Sequence, residues 1–309
     1  MVVLVALIGV PASAGSPTPS LRFTVAATLP LKLTEIVWSG TRFFYVDNTT
    51  NRVFATGPDG QSALFATMPN IVEETRCVVS PAKYGYPIGG LFCHSPDNII
   101  YRIAPDGTTS VFATLPETDI SDGALAVDRV GRFGHRLVAA TGRSGGDGGS
   151  LFTIDPAGVV RKVGTYPGPG GADNVVVAPA SFGSAAGSAL IAVDKDGTRG
   201  SLVAVAANGT SRTIASFEDG VNPIAVVPSR LRRTGVPPAG FYVVDTFPGN
   251  VLVATADQFK GDEGDVIVGS EIKGLMWIVA PRGAGFRVTA LATNLGAPSY
   301  NLEGATFVP

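Results

Sequence analysis

Short runs of apolar and β-branched residues recur along the whole chain and are cut by Gly, Pro, Asn and Asp. Cut at those turn signals, the runs fall into four sets. FFYVDN, GLFCHS, RLVAAT, ALIAVD and GFYVVD are alike, each ending in a small or polar residue. RVFATGPDG, IIYRIAPDG, SLFTIDPAG and SLVAVAANG follow the first four and close on tight-turn residues. SALFATMP, SVFATLP, RKVGTYP and SRTIASF come third, and EIVWSG, ETRCVVSP, DGALAVD, DNVVVAP and NPIAVVP open the units. Four strands recurring every ~40 to 50 residues is the period of propeller blades. No stretch of helix length carries a 3.6-residue period. The predicted class is all-β, a β-propeller of six blades, with five or seven open because the pattern loosens after Asn222. RFTVAATLP near the N-terminus resembles the outermost-strand set, so an N-terminal strand is expected to complete a blade built by the C-terminal chain.

Composition adds compartment and excludes partners. Charged residues are 16% and the formal net charge is -2, so nucleic acid, which needs clustered Lys and Arg, is not expected. The one basic cluster, Arg230, Arg232 and Arg233, reads as solvated loop. Met1 to Val10 is a short apolar run followed by Pro11 and Ala12-Ser13-Ala14, which predicts a signal peptide at 1–14 and one propeller domain over 15–309. The mature chain is then expected to be secreted or periplasmic, with no membrane span. Its two cysteines, Cys77 and Cys93, lie in runs that would oppose each other in a hairpin; a cross-strand disulfide is expected, two buried free thiols being the alternative.

In a propeller, the innermost strand of each blade starts at one mouth of the central channel, where loops held by a rigid scaffold carry function. Here those starts carry Glu35, Glu74, Asp122, Asp173 with Asn174, and Asn222, and Glu303 opens a similar run at the C-terminus. A ring of carboxylates repels itself unless protons or a cation compensate. Carboxylate and amide oxygens are hard donors that suit Ca²⁺. With two histidines and two cysteines in the whole chain, a tetrahedral zinc site is not expected. Asp47, Asp194 and Asp245 end second strands at the same mouth, as channel-mouth groups or turn caps. His94 ends the second strand of the second blade there and is the candidate base; His135 falls on the opposite face. No G-x-S-x-G elbow, H-E-x-x-H helix or phosphate loop is present, and the Gly-rich stretch Ser144 to Ser150 reads as a loop.

The repeat, the export signal and segments such as SDGALAVDRVGRF, ADNVVVAP and YVDNTTNRVFATGPDG resemble the six-bladed propellers of the senescence-marker-protein/gluconolactonase, paraoxonase and strictosidine-synthase-like superfamily. The resemblance implies Ca²⁺ on Glu35, Asp122, Asn174 and Asn222 and hydrolysis of a lactone or ester. Glu35 stands in TEIVW rather than in the family's Glu-Gly-Pro setting. The same resemblance allows an amine-condensing activity with Glu303 as acid-base group. The partner is then a small-molecule substrate. The alternative is a non-catalytic propeller that binds a protein, glycan or small ligand at the channel face.

Overall fold

The computed structural model describes residues 20–57, 60–69, 74–118, 120–143, 148–168, 170–195, 198–231, 235–295 and 301–309. The expected signal segment at 1–14, Arg232 and Arg233, and residues 144–147 of the Gly-rich stretch lie outside them.

Two N-terminal strands, β1 (Ser20–Leu21) and β2 (Thr24–Thr28), precede the repeats. Blade 1 is β3 (Leu33–Trp38), β4 (Phe43–Asp47), β5 (Arg52–Thr56) and β6 (Ser62–Thr67). Blade 2 is β7 (Arg76–Val79), β8 (Leu91–His94), β9 (Ile99–Ile103) and β10 (Thr109–Thr114). Blade 3 is β11 (Ile120–Val127), β12 (Leu137–Arg143), β13 (Gly149–Ile154) and β14 (Val160–Tyr166). Blade 4 is β15 (Gly171–Val177), β16 (Ala189–Lys195), β17 (Arg199–Val205) and β18 (Ser211–Phe217).

The last third is interleaved. β19 (Val221–Val226) is the inner strand of blade 5, but the chain then crosses to blade 6 for β20 (Gly240–Asp245) and β21 (Asn250–Thr255). It returns for β22 (Val266–Ser270), β23 (Met276–Arg282) and β24 (Gly285–Thr293) of blade 5, and ends as β25 (Leu302–Val308), the inner strand of blade 6. β2 is the outermost strand of blade 6, on β21, and β1 adds a parallel fifth strand to blade 5. The ring of six is thus closed by two N-terminal strands on two different blades.

Both faces of every blade are covered by neighbours, which is why the second strands are apolar at successive residues. In β4, Phe44 and Val46 pack toward blade 2, and Phe43 and Tyr45 toward blade 6. Six buried clusters result, one between each neighbouring pair of blades. The outermost strands are more open instead: β6 and β10 expose Ala63, Leu64, Ser110 and Val111 while burying Ala66 and Ala113. The PDG turn before β10 places Gly107 at φ +86°, where a side chain would meet the Phe65 carbonyl of the preceding blade; Gly158 and Gly209 repeat the contact in blades 3 and 4.

Cys77 and Cys93 pair directly across β7 and β8 and form a disulfide at a sequence separation of 16. A loop of about that length stabilises by roughly 3 kcal/mol through the unfolded chain. The Cys77→Ala/Cys93→Ala double variant is expected to lose about that much in denaturant melts, and reductant should then leave the variant's midpoint unchanged.

Candidate functional site at the acidic mouth

The inner strands β3, β7, β11, β15, β19 and β25 are sheet edges and follow one another around the axis. Five of the six begin with a register irregularity against their neighbour: after Leu33, Ile120, Ala172 and Val221, and between Leu302 and Ala305. A bulge re-aims side chains out of the regular alternation. It is what turns the polar residues at these starts toward the axis in blades whose faces are otherwise apolar. Blade 2 differs: β7 pairs regularly from Arg76, preceded by Glu74 in the left-handed region at φ 58°.

Arg76 is the centre of the arrangement and was not singled out in the sequence. It is only 1% exposed. Its Nε donates to the Asp173 carbonyl at 2.8 Å and its Nη1 to the Thr34 carbonyl. Its Nη2 donates to Asn222 Oδ1 and to Glu303 Oε2, each at 2.9 Å. Asn222 Nδ2 donates to the same Glu303 oxygen at 2.5 Å, and Glu74 lies 3.7 Å from the guanidinium. One side chain of blade 2 therefore reaches blades 1, 4, 5 and 6. The available signal was a cation two residues after Glu74, among inner-strand starts that otherwise carry acids or amides, directly before the apolar run CVV.

Outside this plate lies an acidic tier. Glu74, Asp122 and Asp173 each offer a carboxylate oxygen within 4.8 Å of the others, the one such group of three among the described residues. Asp173 is 8% exposed and its Oδ2 has no hydrogen-bond partner. Asp194 shares a hydrogen bond with Glu271. Asp219 is fully buried and pairs with Lys273 at 3.2 Å.

The expected calcium set is divided by the fold. Asp122 joins Glu74 and Asp173. Asn222 is held by Arg76. Glu35 and Asn174 bend back onto the next backbone N–H, with Ile36 N donating to Glu35 Oε1 at 2.8 Å and Val175 N to Asn174 Oδ1 at 2.9 Å, and both line a cavity further along the axis. Asp47 accepts from Lys32 N and Thr49 Oγ1, each at 3.1 Å, and Asp245 accepts from Asn301 N at 3.1 Å, so both tie down loops beside their strands. His94 is fully buried. Its Nδ1 lies 3.3 Å from the Ala124 carbonyl, its Nε2 has no partner, and the ring packs where Gly123 leaves no side chain. His135 stacks on Tyr84.

Burial sets the protonation. It pushes Glu303, with help from the Glu74 charge and against the pull of Arg76, to about 8. Burial and then Asp194 push Glu271 to about 8. Burial raises Glu35 to about 7, opposed by Arg76. Burial, then Glu74, Asp194 and Asp122, raise Asp173 well above the carboxylate range. For Arg76 burial opposes the charge, but Glu303, Glu74 and Glu35 outweigh it and keep it protonated. Burial lowers His94 to about 4, so it is neutral.

No family model matches the chain, and no curated protein matches it. Solved structures do. A virginiamycin B lyase from Staphylococcus aureus is 13% identical, with 91% of this chain and 78% of that one covered and a TM-score of 0.55. A gluconolactonase from Xanthomonas campestris is 11% identical, with 92% and 82% covered and a TM-score of 0.53. The calcium-binding protein regucalcin from Agrobacterium tumefaciens is 13% identical, with 92% and 82% covered and a TM-score of 0.51.

Two outcomes follow from this electrostatic arrangement. Arg76→Met leaves buried acceptors without a donor, and breaking a buried pair costs about 3–5 kcal/mol. Denaturant melts should show a loss of that order, larger at pH 8.5 than at pH 6, because Glu303 can be neutral at the lower pH. In the wild type, Glu303, Glu271 and Glu35 have folded values above their unfolded ones. The folded state then holds the extra protons, and their stability contribution, complete below the unfolded values, is lost as pH rises through the folded ones. His94 acts in the opposite sense, but only below its unfolded value of 6.5. In chelator-treated protein the melting temperature should therefore fall from pH 6.5 to pH 8.5; a rise would contradict the assigned protonation. Both outcomes belong to the axis of a six-bladed β-propeller, the architecture this chain shares with the lyase, the gluconolactonase and regucalcin.

Proposed function

We propose that the protein is an exported hydrolase of a lactone or ester, working at the acidic mouth with a divalent cation, Ca²⁺, on Glu74, Asp122 and Asp173. The observation that carries this reading is the Asp173 carboxylate, buried with one oxygen lacking a partner and facing two further carboxylates within 4.8 Å. Hard oxygen donors in mutual repulsion fit such an ion. When bound, the ion would supply polarisation of a carbonyl and charge stabilisation of the oxyanion formed from it. The chain's own groups prepare the site. Arg76 grips the Asp173 carbonyl and stands beside Glu74, so two of the three donors are anchored to one fully buried group. The Glu271–Asp194 pair holds a proton at neutral pH and can give it to a leaving alkoxide. The fold likeness to a gluconolactonase and to calcium-binding regucalcin supports the substrate class and the ion. The disulfide supports an oxidising compartment, and among the described residues no helix is long and apolar enough to cross a membrane.

A second reading, a propeller that binds a ligand without turning it over, is favoured by the burial of both candidate catalytic groups: His94 is 0% and Glu303 3% exposed. Neither reaches the mouth as a free acid or base.

Ca²⁺ at 100 times its Kd should stabilise the native state by about 2.7 kcal/mol, on the order of 5 °C in melting temperature, with chelator reversing it. Asp173→Asn should weaken Ca²⁺ binding at least tenfold in calorimetry and abolish hydrolysis of a γ-lactone panel. Ca²⁺ binding without turnover would select the second reading; no calcium-dependent shift would remove the ion from both.

A further inference from the structure

The channel has a second compartment that the acidic mouth does not use. Toward the far ends of the inner strands lies a cavity of about 450 Å³, within the size range of small-ligand sites. Its wall takes a residue from every blade: Val37, Val78, Val127, Val176, Val226 and Phe307. The inner strands are buried at their starts and open at these ends, so Val78, Val176, Val226 and Phe307 are half-buried apolar groups facing a concave space. Between them run the unpaired edges of six inner strands, offering backbone N–H and C=O groups as well.

The cavity is closed toward the acidic mouth. Glu35 and Asn174 are its innermost polar residues, and Arg76 donates to the carbonyls of Thr34 and Asp173, the residues directly before them. The guanidinium plate thus separates an acidic compartment from an apolar one. The lining holds two charged residues, Glu35 at the inner end and Arg129 at the rim. A buried acid at the blind end disfavours an anion there, and an exposed guanidinium at the opening favours one. The two together orient an amphipathic anion in one direction only.

We propose that this far compartment is a binding site for a small hydrophobic monocarboxylate, aromatic or branched, its apolar body in the channel and its carboxylate on Arg129. The site is independent of the cation and of any hydrolysis at the other mouth.

The test uses the whole chain and 2-naphthoate as probe, with uncharged 2-naphthol beside it, read by calorimetry. Wild type should bind 2-naphthoate saturably, one per chain. Arg129→Gln should weaken 2-naphthoate about tenfold and leave 2-naphthol within twofold. Ala305→Phe, which fills the cavity from β25, should abolish binding of both; should that variant not fold, Val177→Phe serves from β15. Glu74→Gln, at the acidic mouth, should change neither. Absence of saturable binding to wild type would overturn the proposal. So would unaltered binding by a folded cavity-filling variant, or loss of binding in Glu74→Gln alone. An Arg129→Gln variant that still binds 2-naphthoate at full strength would overturn the anionic assignment.

Discussion

Carboxyl groups drawn to one axis in a low-dielectric interior repel one another, and each also loses its hydration. In this propeller the inner-strand starts bring Glu35, Glu74, Asp122, Asp173 and Glu303 to such an axis. The arrangement holds because a guanidinium is built into it. Arg76 offers donors in a planar fork, and blades 1, 4, 5 and 6 each supply an acceptor. Two of those acceptors are backbone carbonyls on strand edges that no neighbouring strand can satisfy. The group that compensates charge is therefore also the group that satisfies the edges and ties distant blades together.

The same residue divides the channel. On one side lie acids whose burial favours the protonated form, and on the other an apolar cavity walled by valines of five inner strands and Phe307 of the sixth. Register irregularities fall at the polar starts of five inner strands, and regular pairing beyond them leaves the second compartment lined by apolar residues and bare backbone. Two chemistries can share one axis because a buried cation stands between them.

Much of the fold was legible along the chain. The apolar runs of β4, β8, β12 and β16 are covered on both faces, so their pattern survives without reference to any partner strand. The PDG and NG turns, the Cys77–Cys93 pairing and the return of RFTVAATLP to the C-terminal blade are likewise local or nearly local signals. The last third was not legible, because β19 and β20 are neighbours in sequence but lie in different blades. Strand runs reveal that a segment pairs, and carry no information on which of two adjacent blades receives it.

The site divides in the same way. From the residues alone came the acidic and amide character of the inner-strand starts, since each polar residue stands at the head of an apolar run. Tertiary structure alone decided which of them meet. Glu35 and Asn174 fold back on their own backbone and face the far cavity, Asn222 is taken by Arg76, and His94 is sealed under Gly123. The reason is physical: the fate of a polar group on an axis depends on the net charge and free donors gathered there from six blades, a sum that no single repeat contains.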